Sequence, residues 1–207
     1  RYRESAKKLL IIRKRIIHQA TNKKTIFKTI ICDLKAKGNL SHTLVYVPEG
    51  NDRDYSEKFD YDISQEDNRI INDYSKILHE NGISTYQMLG ETINREKILT
   101  QFENGTIATL TAMKTLDEGV DIPATRNAIF CSSTGNPRQF IQRRGRILRK
   151  FKGKDVANIY DIIIGFNPDI WIDHPPDERK KILNMKKNIF KSELYRVANF
   201  LYASLNR

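Results

Sequence analysis

Gln142-Arg-Arg-Gly-Arg-Ile-Leu-Arg149 is the most informative segment of the chain, with four arginines among eight residues and no acidic residue. The pair Asn136-Pro137 just before it is typical of a helix start. If that helix reaches Arg149, the spacing i, i+4 and i+7 places Gln142, Arg146 and Arg149 on one face. Such a face can meet the terminal phosphates of a nucleotide, because arginines stabilise the charge of phosphoryl transfer. A solvated basic helix is the other interpretation of this segment taken alone.

Gly145 is a poor helix former in the middle of this predicted helix. It costs on the order of 1 kcal/mol relative to alanine at an interior helical position. We therefore expect a neighbouring segment to approach the backbone closely at Gly145.

A second informative segment is Asp117-Glu-Gly-Val-Asp-Ile-Pro123, which follows a predicted strand at residues 106–111. In open α/β sheets, ligands bind at the carboxyl ends of parallel strands, so this segment is a candidate ligand loop. Gly119 permits a tight loop, and Asp121 presents a carboxylate that can accept hydrogen bonds from sugar hydroxyls. An acidic surface turn is the alternative interpretation.

The rest of the chain alternates predicted strands with predicted helices. Apolar and β-branched runs predict strands at residues 43–47, 83–89, 106–111, 127–131 and 156–164. Helical periodicity predicts two helices within residues 2–37 broken near 21–22, and further helices at 70–80, 92–102 and 177–205. Thr92 is the expected N-cap of the 92–102 helix, and Asn104-Gly105 its stop. The acidic residues 51–67 are expected to form a loop or insertion. This alternation predicts a mainly parallel sheet with helices on both faces.

Taken in order, the segments 90–102, 117–123 and 132–149 resemble the C-terminal RecA-like lobe of superfamily 2 helicases and translocases. Residues 43–48 are similar to motif IV of that family, 117–123 to motif V, and 142–149 to motif VI in its QxxGRxxR form. The resemblance covers roughly residues 40–165. The residues of motifs V and VI are more similar to those of bacterial restriction-type and repair-type DNA helicases than to those of DEAD-box RNA helicases. It implies a three-layer α/β, RecA-like (P-loop NTPase-like) lobe at residues 39–166. A helical lead-in at 1–38 would pack on that lobe, and a helical extension at 167–207 would follow it.

The resemblance also implies roles for individual residues. Arg146 and Arg149 would be arginine fingers that reach the γ-phosphate of ATP, with Gln142 near the same phosphate. Gly119 and Asp121 would contact the ribose. The residues expected at the nucleic-acid backbone are Pro48, Gly90, Thr111, Lys114 and Arg143.

The parts of a complete motor that hold the nucleotide are missing from the sequence. It contains no GxxxxGK[ST] phosphate loop and no DEAD-like acidic pair after a strand. The resemblance therefore implies that ATP and Mg²⁺ are held mainly by an N-terminal RecA-like lobe absent from this chain, and that the isolated chain lacks ATPase activity. The start at Arg1, without an initiator Met or a signal-peptide core, is also typical of a segment of a longer protein.

Charge and composition restrict the class of partner. The 207 residues include 36 Lys and Arg against 25 Asp and Glu, for a net charge of +11, and the eight basic residues of 137–154 face no acid in that range. Such a balance favours a polyanion such as nucleic acid as partner, and the family resemblance implies that this partner is DNA. The apolar runs are too short to span a bilayer, so no membrane association is expected. The two cysteines, Cys32 and Cys131, exclude a disulfide scaffold and favour a reducing, cytoplasmic setting. No metal site is expected, because the histidines lack ligand spacing; they are His18, His42, His79 and His174.

Three functional readings remain open from the sequence. The first is the second motor lobe of a DNA helicase or translocase. The second is a nucleic-acid-binding module that is not a motor, for which Arg149→Ala would cause only a modest, sequence-independent weakening of binding. The third is an RNA helicase lobe, which competition between single-stranded DNA and RNA of the same sequence would separate from the first.

Overall fold

The computed structural model describes residues 20, 22–48, 63–90, 92–113, 121–131, 137–165 and 175–201. Within these ranges, five short strands form one parallel sheet. They are β1 (Thr43–Tyr46), β2 (Thr85–Met88), β3 (Thr109–Ala112), β4 (Asn127–Phe130) and β5 (Asn158–Asp161). Their order across the sheet is β2-β3-β1-β4-β5. Thr43 of β1 stands between Thr109 of β3 and Asn127 of β4, so β1 is the central strand.

Five helices are described along the same chain. They are α1 (Asn22–Ala36), α2 (Ile63–Glu80), α3 (Arg95–Glu103), α4 (Pro137–Ile147) and α5 (Pro176–Leu201). All five predicted strands are present, each shorter than or shifted from its predicted range by a few residues. Two helices were predicted within residues 2–37, and the first of them, before residue 21, lies outside the described residues.

The central strand separates two hydrophobic cores. Val45 packs into a core with Phe27 of α1 and Tyr74 of α2, whose rings meet edge to face at 5.1 Å. Its neighbours Leu44 and Tyr46 pack into a second core with Phe102 of α3 and Ile147 of α4. Successive strand residues point to opposite faces of a sheet, so β1 contributes to both cores. The result is a three-layer α/β fold of the RecA-like type, which confirms the predicted fold class.

The chain divides into two compact units, Arg1–Ile162 and Ile163–Arg207. The first unit holds the sheet and α1 to α4, and Lys23 of α1 donates a hydrogen bond to the carbonyl of Cys131 after β4, at 3.0 Å. The second unit holds α5, one continuous helix of 26 residues. No helix within the described ranges is long and apolar enough to cross a bilayer.

Three details of the predicted helices are wrong. Helix α2 begins at Ile63, so residues 63–67 are helical rather than part of a loop; acidic residues are favourable near a helix N-terminus, where the macrodipole is positive. Thr92 does not cap α3, because its hydroxyl accepts a hydrogen bond from the Leu89 amide at 2.8 Å and the N-cap is Asn94 in a left-handed conformation. Helix α4 begins at Pro137 as predicted but ends at Ile147, so Arg149 lies beyond it.

Candidate functional site

Helix α4 positions the arginine-rich segment by burying one face of that segment. Arg143 and Ile147, one turn apart, are buried, whereas Gln142 is exposed and Arg146 is half-buried. Residues four positions apart lie on one face of a helix, so Gln142 and Arg146 share a face, as the sequence predicted. Because this face differs from the buried face of α4, the Gln142 amide and the Arg146 guanidinium lie at the surface.

Arg143 attaches this helix to the sheet through its contact with Tyr46. Its side chain is only 4 % exposed, and its guanidinium lies 4.8 Å from the ring centroid of Tyr46 in β1. The Tyr46 ring in turn stacks on Phe130 of β4 at 4.8 Å with nearly parallel planes. A guanidinium over an aromatic face is a favourable cation–π contact, and it gains strength when water is excluded. Arg143 therefore ties α4 to the two central strands, and its burial does not fit the predicted contact with nucleic acid.

Arg149 has a different environment, because it follows the end of α4. Its guanidinium forms an ion pair with the carboxylate of Asp121, and the two side chains are 53 % and 45 % exposed. The structure therefore brings together the two segments that the sequence singled out as candidate ligand sites. It does so by a turn after the helix, rather than by extension of the helical face through Arg149. Gly119, the other residue predicted at the ribose, lies outside the described residues.

Part of the chain matches the model of a known protein family. Residues 56–151, which include β1's partners β3 and β4 and all of α4, match the model of the helicase conserved C-terminal domain. This match covers less than half of the 207 residues. It supports the resemblance to the C-terminal lobe of superfamily 2 helicases that the motifs indicated, while the restriction-type or repair-type assignment stays a prediction.

A curated relative and two solved structures resemble the chain. A stretch of 56 residues is 48% identical to the DNA 3'-5' translocase XPB2 of Sulfurisphaera tokodaii and covers 27% of this chain but 13% of that protein. The Pyrococcus furiosus Hef helicase domain is similar over 70% of this chain and 26% of its own, with 24% identity and a TM-score of 0.45. The E. coli DEAD-box protein SrmB is similar over 68% of this chain and 70% of its own, with 17% identity and a TM-score of 0.46. The chain therefore spans a small part of the curated relative that it matches.

Two predicted nucleic-acid contacts lie just after strands at one edge of the sheet. Pro48 and Gly90 follow β1 and β2, and the carboxyl ends of parallel strands share an edge. Pro48 is buried, so its side chain does not fit the predicted contact. Gly90 is exposed, and its carbonyl accepts a hydrogen bond from Arg95 at 2.6 Å. Thr111, by contrast, is buried inside β3 with its hydroxyl 3.2 Å from that of Ser75, so its side chain does not fit the predicted contact.

Lys114 lies outside the described residues. No cluster of three or more His, Cys, Asp or Glu that could hold a metal ion occurs among the residues that the structure describes. Cys32 is exposed and Cys131 is buried, and both are free thiols.

Among the described residues, none approaches Gly145 as closely as the sequence predicted. A Cβ atom at this position would meet no described heavy atom within 4 Å outside its own helix. We expect Gly145→Ala to raise the free energy of unfolding of the chain by about 0.5–1 kcal/mol, because alanine loses less backbone entropy in a helix. Urea denaturation measures this change.

Gly105→Ala is the matched control for this substitution. Gly105 also has open space around it, but its φ is +81°, where a Cβ is strained. That variant should be less stable than the wild type. A loss of stability in Gly145→Ala would contradict the prediction and would reveal a neighbour at α4.

Proposed function

We propose that this chain is the second motor lobe of an ATP-dependent DNA helicase or translocase. In this proposal it supplies Arg146 and Arg149 to ATP that is bound mainly by an N-terminal lobe, and it grips the nucleic-acid backbone. The observation that carries the proposal is the pairing of Arg149 with Asp121, since it joins the predicted phosphate-binding and ribose-binding residues in one surface site.

The described side chains are suited to a nucleotide at this site. Arg149 is half-exposed, and a guanidinium binds phosphate oxygens through two parallel hydrogen bonds. Asp121 gives one carboxylate oxygen to Arg149, which leaves the other oxygen for a ribose hydroxyl. Gln142 and Arg146 lie on the neighbouring helical face and would meet the same phosphate group. Mg²⁺ would neutralise the phosphates from the side of the other lobe.

Exposed apolar residues on and directly after α4 support docking of another lobe at this helix. Ile141 and Leu148 are 66 % and 48 % exposed, and a separation of seven positions places Leu148, in the turn that follows the helix, near the face of Ile141 and Gly145. This face adjoins that of Gln142 and Arg146. Clustered exposed apolar side chains are typical of an interaction surface. The lobe that holds ATP would therefore cover this strip and bring the phosphates to the arginines.

Motion would follow from closure of the two lobes around ATP. Nucleotide that contacts both lobes favours the closed state, and hydrolysis removes the γ-phosphate contacts that hold it closed. The grip of this lobe on nucleic acid would change with each cycle. Gly90 and Lys114 are the proposed points of contact with the backbone.

DNA is the proposed polymer for two reasons. The matched relative is by name a DNA translocase, and motifs V and VI of this chain resemble those of restriction-type and repair-type DNA helicases. The basic residues of 137–154 and of 1–38 add the positive charge that a nucleic-acid partner requires.

The test is ATP hydrolysis by the natural full-length protein with and without single-stranded DNA. We expect DNA to stimulate turnover, and RNA of the same sequence to compete poorly for binding. DNA affinity should fall steeply as salt rises, because bound phosphates release counterions. Preferential binding of RNA would favour an RNA helicase lobe, and a full-length protein without ATPase activity would leave only a nucleic-acid-binding module.

A further inference from the structure

Lys154 connects the two sides of the candidate nucleotide site through the backbone. Its ammonium donates hydrogen bonds to three carbonyl oxygens: Pro123 at 2.9 Å, Ile147 at 2.5 Å and Arg149 at 3.0 Å. A lysine ammonium has three N–H donors, so every donor of Lys154 has an acceptor. None of these acceptors belongs to a side chain, so the contacts depend on where the backbone lies.

The turn after α4 delivers Lys154 to this position. The Lys154 amide donates to the carbonyl of Phe151 at 3.1 Å, and Gly153 between them has a φ of +74°. Arg126 holds the outer side of the turn through a hydrogen bond to the carbonyl of Gly153 at 3.1 Å. The chain therefore reverses direction within a few residues, and Lys154 returns to the end of the helix that it has just left.

The end of α4 is a favourable place for a positive charge. The last carbonyls of a helix have no intrahelical donor and carry the negative end of the macrodipole, so a lysine ammonium satisfies and stabilises them. Burial lowers the pKa of Lys154, and the nearby Arg126 charge lowers it further. Three carbonyl dipoles around the ammonium favour the charged form and act against both causes.

The three carbonyls belong to the two backbone segments that carry Asp121 and Arg149. Pro123 lies two residues after Asp121, and the carbonyl of Arg149 belongs to the arginine itself. One ammonium thus fixes the backbone that carries the aspartate relative to the backbone that carries the arginine. Arg149 needs such support because it lies beyond α4, where helical hydrogen bonds no longer hold the chain.

We propose that Lys154 is the positioning residue that holds Arg149 at the distance and angle required for phosphate contact. This inference rests on the proposed function, in which Arg149 reaches the γ-phosphate of ATP. Lys154 itself touches no substrate and acts through the backbone of Arg149. Displacement of a catalytic group by about 1 Å can cost on the order of 10²-fold in rate, so loss of the ammonium is expected to matter.

The experiment measures kcat and KM for ATP in the natural full-length protein at saturating single-stranded DNA. Lys154→Met keeps the aliphatic stem but removes the three donors, and we expect kcat to fall by on the order of 10- to 100-fold. KM for ATP should change by less than about threefold, because an interaction made in the transition state affects kcat rather than ground-state binding. Lys97→Met, at an exposed lysine of α3 outside the basic segment 137–154, is the matched control and should retain kcat.

A double variant separates positioning from a general structural role. If Lys154 acts through Arg149, then Lys154→Met should cost less than about twofold when Arg149 is already alanine. An equal loss of kcat in both backgrounds would overturn the proposal. So would an unchanged kcat in Lys154→Met while Arg149→Ala is inactive. If Arg149→Ala itself retains full turnover, the proposed function fails, and that outcome is distinct from the other two.

Lys154→Arg covers the case in which Lys154→Met does not fold. It keeps the charge and the long stem, but a planar guanidinium cannot direct three donors from a single nitrogen toward three carbonyls as an ammonium does. We expect a smaller fall in kcat in the folded variant, with no change in unfolding temperature. Full activity of Lys154→Arg would overturn the positioning role, because charge alone would then suffice.

Discussion

Replacement of Arg149 by alanine is expected to lower DNA-stimulated ATP turnover of the natural full-length protein by on the order of 10³-fold. An arginine that meets the γ-phosphate stabilises charge that develops in the transition state, so its loss appears in kcat. Affinity for DNA should stay nearly unchanged, because Arg149 is paired with Asp121 at the proposed nucleotide site. Steady-state hydrolysis and DNA binding at fixed salt measure the two quantities. Arg146→Ala should show the same pattern.

Lys150→Ala is the control for this substitution. Lys150 is an exposed cation next to Arg149, so its removal lowers the charge of the segment by the same amount. Turnover should be retained in that variant. If Arg149→Ala and Lys150→Ala weaken DNA binding alike and leave turnover unchanged, the arginine contributes only charge. The chain would then be a basic α/β module that binds nucleic acid for another purpose.

Tyr46→Ala is expected to lower the free energy of unfolding by about 3–5 kcal/mol, which is the usual cost of truncating a buried aromatic side chain. The Tyr46 ring is fully buried between Phe130 and the Arg143 guanidinium. Its removal opens a cavity in the core and leaves a buried charge without its aromatic partner. Urea denaturation of the chain measures the change.

Tyr46→Phe is the matched control, since it keeps the ring that stacks on Phe130 and carries the Arg143 contact. Its loss of stability should be a small fraction of that in Tyr46→Ala. An equal loss in the two variants would mean that the hydroxyl, rather than the ring, holds α4 in place. Arg143→Ala should likewise reduce stability and leave the salt dependence of DNA binding unchanged, because the side chain is buried.

Local patterns predicted the elements of this fold well where the side chains are apolar. The runs around Val45 and Ile129 are short, apolar and β-branched, and both form central strands. Helix starts were less predictable. The polar residues after Ile63 have no apolar periodicity, yet they form the first turns of α2. Thr92 has the side chain of an N-cap, but its hydroxyl accepts a hydrogen bond from the preceding loop instead.

In the candidate site, too, local patterns predicted some features and missed others. Periodicity along one helix placed Gln142 and Arg146 on a shared face, because both positions belong to one local element. It could not show that Arg143 points inward, since that depends on the Tyr46 ring nearly a hundred residues earlier in the chain. It also could not show that α4 ends before Arg149, which is then held by Lys154 from the following turn.

The amino-acid sequence by itself determined the alternation of strands and helices, the three-layer α/β class, and the two motifs that resemble those of a helicase C-terminal domain. These depend on residues close together in the chain, whose spacing sets which face each side chain occupies. Only the tertiary structure decided the strand order β2-β3-β1-β4-β5, the burial of Pro48, Thr111 and Arg143, and the joining of Asp121, Arg149 and Lys154. These depend on contacts between residues distant in sequence, and such contacts leave no periodic signal in either segment alone.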